Sequence, residues 1–470
     1  MNLHRMKAAA VLWLALICVA PVPAAEPVKK TALDDYIAKP DPTYAWKVVK
    51  KIPGEGYTTF IVDLKSQSWR APPEVDRSVW QHWLIIVKPD VVKYDTAFLQ
   101  IGGGANDGKV PAKAEDSTVF YAKSTGSVAA YLHMVPNQPL IFNGDGQPRK
   151  EDDLIAYGHV KFMDTGDTTW LPRLPMVKSA VRAMDAVQEV MASDEGGKTP
   201  IKKFVVAGGS KRGWTTWLTG AADPRVRAIV PIVIDVINVR ACKENHYGAY
   251  GFWAEAVGDY TRHHIHERID TPQYAALLKI VDPYSYLDRL TMPKFVVNST
   301  GDQYFPPDSS KFYFHDLKGD KYLRYVPNTK HNLANSDASQ SILAFYRAVL
   351  KGSHLPEYSW KVQPDGSVRI ETKEKPREVN LWQATNPEAR DFRLDKIGPA
   401  YKKSPLEDQG GGVYVARVPT PDKGWTAFFA ELVFDSGDKE PYKFTTQVHI
   451  LPDRLPHSID EFRQKIRKPQ

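Results

Sequence analysis

Apolar positions follow two different periods along this chain. Residues 57–64 and 79–87 are β-branched and aromatic with partial alternation, between proline and glycine clusters, which predicts early antiparallel strands. Another apolar run over 96–101 stops at Gly102, Gly103 and Gly104; a helix capped at Asp116 or Ser117 is expected to run through Lys123, with a strand over 128–134. Over 176–191, Val177, Ala180, Val181, Met184, Val187, Val190 and Met191 keep the three-and-four spacing of a helical stripe. The runs 226–234 and 294–298 are almost continuously apolar, as strands covered on both faces of a parallel sheet are. A closing helix is expected over 342–350. After 358 come short strands at 367–370, 378–383, 412–418, 427–433 and 444–450, with turn residues and no helices between them.

The pattern predicts an α/β chain, a mostly parallel sheet with helices on both faces, followed by a C-terminal β-sandwich of immunoglobulin-like type. The expected division is a signal peptide over 1–25, a first domain over 26–352 and a second over 353–470, with the boundary near Gly352 and Ser353. Residues 238–290 are rich in Tyr, Trp and His without a strand period. They are expected either to cap an active site or to form ordinary helices on the sheet edge.

Charge and cysteine narrow the class. His4, Arg5 and Lys7 precede an apolar run from residue 8 to 20 and then small residues at 24–25, which predicts export to the periplasm or beyond and no membrane segment in the mature chain. Without Cys18 only Cys242 remains, so stability is expected to come from the core and not from a disulfide. The formal charge of +7 is spread over short basic runs, which argues against a nucleic-acid partner.

The chemistry centres on residues 202–214, where an apolar run breaks at Gly208 and Gly209, presents Ser210 and continues as a helix through Lys211, Arg212, Gly213 and Trp214. This reads as a strand–nucleophile–helix elbow. A serine hydroxyl needs a base, and the base needs an acid to fix its tautomer. In α/β-hydrolases these follow in the order Ser, Asp or Glu, His, at the ends of later strands. Asp302, after the strand 295–298, is the predicted acid, with Asp308 its rival, better explained as a helix N-cap. His331, in the loop after a strand over 321–326, is the predicted base. Lys211, Gly103 and Gly104 are the predicted oxyanion donors.

The elbow departs from G-x-S-x-G, since the glycine after Ser210 comes one position late, at Gly213. A similar G-x-S-x-x-G spacing occurs in glucuronoyl esterases, where a cation beside the serine helps stabilise the oxyanion. Arg212 is accordingly read either as a substrate-binding or oxyanion-stabilising cation, a role open to Lys211 as well, or as a structural partner of an acidic neighbour. No cofactor is called for. The cluster His263, His264 and His266 has neither the spacing nor the carboxylate of a metal site. Trp214 and Trp217 are read as core residues.

Residues 33–42, the glycine triplet, residues 208–217 and Ser299-Thr300-Gly301-Asp302 with Pro307-Asp308-Ser309 together resemble the PhoPQ-activated pathogenicity-related protein family. The resemblance spans nearly the whole mature chain and implies an α/β-hydrolase core, but names no substrate. The expected function is a serine hydrolase acting on a small-molecule, peptide or carbohydrate ester or amide. The competing class is a non-catalytic binding or signalling protein on the same scaffold.

Overall fold

The structure, a computed structural model, describes residues 30–467, so the expected signal peptide lies outside the described residues. In chain order the first elements are α1 (Ala32–Ala38), β1 (Ala45–Gly54), β2 (Tyr57–Ser68), β3 (Val79–Pro89), β4 (Thr96–Ile101), α2 (Asp116–Thr125) and β5 (Ala129–Leu132). They are followed by α3 (Glu151–Thr165), α4 (Arg173–Ala192), β6 (Lys203–Gly209), α5 (Lys211–Ala222), β7 (Val226–Ile232), α6 (Val239–Tyr250), α7 (Gly258–Arg262) and α8 (Pro272–Val281). β8 (Lys294–Ser299), β9 (Lys321–Val326) and α9 (Ala338–Lys351) complete the first part.

These strands form one nine-stranded sheet in the order β1-β2-β3-β5-β4-β6-β7-β8-β9. β1, β2, β3 and β5 pair antiparallel in turn, and every pair from β5 to β9 is parallel. Alternate residues of the central strands serve opposite faces. Val206 packs in one apolar cluster with Met184 and Val187 of α4 and Trp217 of α5, while Val205 packs in another with Tyr121 of α2 and Phe345 of α9. The sheet is therefore covered by helices on both sides, and its parallel half directs every carboxyl end to the same edge.

Three elements of this part have no counterpart in the sequence expectations: α1, β1, an edge strand of alternating exposure whose lysines hid it, and α3. The helix expected from Asp116 or Ser117 starts there, but its N-cap is Glu115 and no side chain caps it.

The remaining elements are β10 (Tyr358–Val362), β11 (Val368–Thr372), β12 (Glu378–Asn386), α10 (Leu394–Ile397), β13 (Lys402–Pro405), β14 (Val413–Ala416), β15 (Trp425–Phe434), β16 (Tyr442–Thr445), β17 (His449–Leu451) and α11 (Ile459–Arg467). They make two antiparallel sheets, β10-β11-β14 and β13-β12-β15-β16, with β17 on β15. The strand expected over 444–450 is split into β16 and β17, and two helices stand where none was expected.

β15 is buried on both faces. Phe428, Ala430 and Leu432 share a cluster with Val368 and Ile370 of the smaller sheet, whereas Ala427 and Phe429 share one with Leu323 and Tyr325 of β9. The C-terminal sheets are thus packed onto the large sheet's β9 edge.

Candidate active site

Ser210 follows β6 and begins α5 with φ 56° and ψ −128°, a conformation a residue with a Cβ rarely adopts. Two anchors hold it: its N–H donates to Ile232 O at 2.8 Å, and its carbonyl accepts the N–H of Trp214 at 3.0 Å. Glycines make this possible where strand and helix touch. A Cβ on Gly208 would stand 2.6 Å from Arg212 O, and one on Gly213 would stand 2.8 Å from Gly208 O and 3.0 Å from Ile232 O. Gly209 meets nothing within 4 Å. The close-packing duty therefore falls on Gly208 and Gly213, which accounts for the displaced glycine after the serine.

Asp302 and His331 stand in the loops after β8 and β9, so all three residues lie at carboxyl ends of strands in the parallel half. His331 Nδ1 donates to Asp302 Oδ2 at 2.8 Å, and Asp302 Oδ1 accepts the Tyr304 N–H at 2.8 Å. The other imidazole nitrogen, Nε2, is buried without a hydrogen-bond partner among the described residues, Ser210 included. The Tyr304 ring packs 4.4 Å from the imidazole and also lines the cavity that reaches Ser210. Asp308 has other duties. It occupies the N-cap position of the turn Ser309–Phe312 but caps nothing with its side chain; it is buried against Arg390 (2.6 Å) and Lys311 (2.7 Å) and accepts from Asn245 Nδ2 (3.1 Å).

Gly103 and Gly104 leave β4 toward the same edge, and their N–H groups donate to no acceptor among the described residues. The Lys211 N–H, in the first turn of α5, has no intrahelical acceptor either. Their supports are explicit: Met134 N–H donates to Gly103 O at 2.8 Å, and Gln138 Nε2 donates to Gly104 O at 3.1 Å.

The two cations after Ser210 are engaged by α3. Arg212 donates through Nη1 and Nη2 to both oxygens of Glu151 (2.8 and 2.7 Å) and through Nε to Val135 O (2.6 Å). Lys211 Nζ pairs with Glu151 at 2.9 Å and with Asp152 at 3.2 Å. Burial pushes the Glu151 carboxyl up, but the Arg212 and Lys211 contacts outweigh it and hold it at about 2. Of the two readings of Arg212, the acidic partner is the one realised in its contacts. A Cβ on Gly103 would come 2.8 Å from Arg212 Nη2, so the guanidinium stands directly behind the glycine loop.

The cavity is walled by α3, the elbow, α6, α8 and the loop after β8. Residues 238–290 supply much of its lining, including Val239, Lys243, Trp253, Tyr260 and Leu277. Trp214, expected in the core, lines it as well, with its Nε1 donating to Val281 O and the Arg173 guanidinium 4.2 Å above its ring. The three histidines are dispersed: His263 bonds Asp153, His264 bonds Glu267, and His266 stacks on Trp253.

The profile of the PhoPQ-activated pathogenicity-related protein family matches residues 33–393. The chain belongs to this family. It is 39% identical over 458 residues, 91% of each chain, to autocrine proliferation repressor protein A of Dictyostelium discoideum. Among solved structures it is similar to acetyl xylan esterase 1 from Thermoanaerobacterium sp. JW/SL YS485, at 14% identity and TM-score 0.48 over 67% of this chain and 92% of that one. It is also similar to a glucuronoyl esterase from Solibacter usitatus, at 14% identity and TM-score 0.39 over 67% and 91% of the two chains.

Proposed function

We propose that this family member is an exported serine hydrolase that cleaves an ester or amide through an acyl-enzyme. The observation that carries the reading is the His331 Nδ1–Asp302 bond of 2.8 Å beside a buried, unpartnered Nε2, at the sheet edge where Ser210 is held strained. In this reading Asp302 fixes the tautomer that leaves Nε2 free to accept a proton. Ser210 Oγ attacks the carbonyl carbon while its proton passes to Nε2, and the Lys211, Gly103 and Gly104 N–H groups receive the oxyanion. The intermediate collapses, the leaving group takes the proton from His331, and a water activated by the same nitrogen releases the acid.

Arg212 and Glu151 act behind this machinery by bracing the glycine loop, residues 238–290 act as the cap, and the C-terminal sheets form an immunoglobulin-like sandwich. The substrate is a small-molecule, peptide or carbohydrate ester or amide met in the periplasm or outside the cell. The bond type is tested with p-nitrophenyl acetate against aminoacyl p-nitroanilides. Turnover of one class, lost in Ser210→Ala, supports the reading; equal background rates for wild type and variant on both classes oppose it.

One observation favours a second reading, a signalling protein on a hydrolase scaffold: the relative at 39% identity carries the name of a proliferation repressor. An inert Ser210 in a well-folded protein would favour it.

A further inference from the structure

The cavity beside Ser210 contains a basic group that has no hydrogen-bond or ion-pair partner among the described residues. Lys243 stands on α6, whose N-terminus is pinned by Asp282 accepting from Val239 N at 2.8 Å and Asn238 N at 3.3 Å. Among the described residues Lys243 Nζ makes no hydrogen bond and no ion pair; its neighbours are the rings of Tyr274 and Tyr260, with centroids at 4.9 and 5.9 Å. Burial pulls its pKa down to about 7. Holding an ammonium among aromatic rings with no counter-charge is costly.

Other nitrogens of the lining are unmatched too. Among the described residues His159 Nε2, Arg173 Nε, Trp253 Nε1 and both ring nitrogens of His266 are buried without hydrogen-bond partners, and only the imidazoles among them can also accept. The two carboxyl groups present are already engaged: Asp152 by Lys211 Nζ (3.2 Å) and the Tyr260 hydroxyl (3.1 Å), Asp235 by the Tyr313 hydroxyl (2.7 Å) and that of Tyr325. The unmatched groups named here are nitrogens that can donate, and buried polar groups are normally matched. Their complement is an acceptor-rich anion, and a carboxylate gives an ammonium its strongest hydrogen bonds.

We propose that this cavity takes a substrate acyl group ending in a carboxylate, seated on Lys243 Nζ. The inference deepens the hydrolase reading and rests on it for the word substrate: an acyl chain attached at Ser210 enters the cavity with its far end toward α6. Lys211 and Arg212, the cations beside the serine, are already paired with Glu151 and Asp152, which leaves Lys243 to receive the carboxylate.

The test is calorimetric titration of the full mature chain with glutarate and with uncharged glutaramide, for wild type, Lys243→Met and Lys243→Gln. Glutarate should bind wild type and weaken about tenfold or more in both variants, the worth of one charge-assisted hydrogen bond, while glutaramide affinity stays unchanged. The Gln variant keeps a polar head, so it reports on the charge if the Met variant fails to fold. No glutarate binding to wild type, or equal affinity in wild type and variants, overturns the proposal. Binding needs no turnover, so the two readings fail separately. Glutarate held by Lys243 in a protein with an inert Ser210 keeps the anion site and removes the hydrolase. An active Ser210 with no glutarate binding does the reverse.

Discussion

Glu151 illustrates what single residues do around the site. Its carboxylate joins two consecutive cations of the elbow, Lys211 and Arg212, from a distant stretch of the chain, and Arg212 in turn stands behind Gly103. Because its folded pKa lies at about 2, below the ordinary 4.5, its contribution to stability is complete above pH ~4.5 and is lost as pH falls toward 2. Glu151→Gln should therefore flatten the acid limb of a thermal-unfolding profile in that window. It should also lower turnover by about tenfold or more through the loosened glycine loop; an unchanged acid limb would contradict the pairing. Ser210, Asp302 and His331 could be selected as candidates from sequence because each sits in a loop at the end of a readable strand. Glu151 and Lys243 could not, since their roles arise only when distant segments meet and no local spacing records that meeting.

At the scale of elements, the elbow is set by where β6 and α5 touch. Gly213→Ala would place a methyl against two backbone carbonyls and should cost about 3 kcal/mol, whereas Gly209→Ala has open space and should stay within about 1 kcal/mol. Urea denaturation of the pair measures this, and equal costs would refute the shifted-glycine account. The central strands were legible because burial on both faces leaves an unbroken apolar run. β1 was not, because an edge strand with one exposed face carries lysines at positions a buried strand would fill with valine. α3 was missed for a related reason. It begins Glu151-Asp152-Asp153, acidic residues that read as surface, yet Glu151 and Asp152 pair with the elbow cations and Asp153 with His263.

Across the whole molecule, the C-terminal part braces the loops that carry Asp302 and His331. Leu394 N–H donates to Gly301 O at 3.0 Å, Asn328 and Tyr401 exchange two hydrogen bonds of 2.9 Å, and Lys330 pairs with Asp395. Arg390 reaches the buried Asp308 on the Asp302 loop. Arg390→Met leaves Asp308 with Lys311 and Asn245 alone, and should cost about 3 kcal/mol and reduce turnover, read by urea denaturation and by rate. Full activity after that change would mean that the C-terminal part does not support the site. The sheets themselves were legible from turn spacing. Their bracing role was not, because α10 is only four residues long, too short to show a helical stripe in the sequence. The central claim, an activated serine, is tested most directly by labelling the purified mature protein with a fluorophosphonate probe. Wild type should label, and Ser210→Ala and His331→Ala should not. A folded wild type that fails to label, or a Ser210→Ala variant that labels equally, would contradict it.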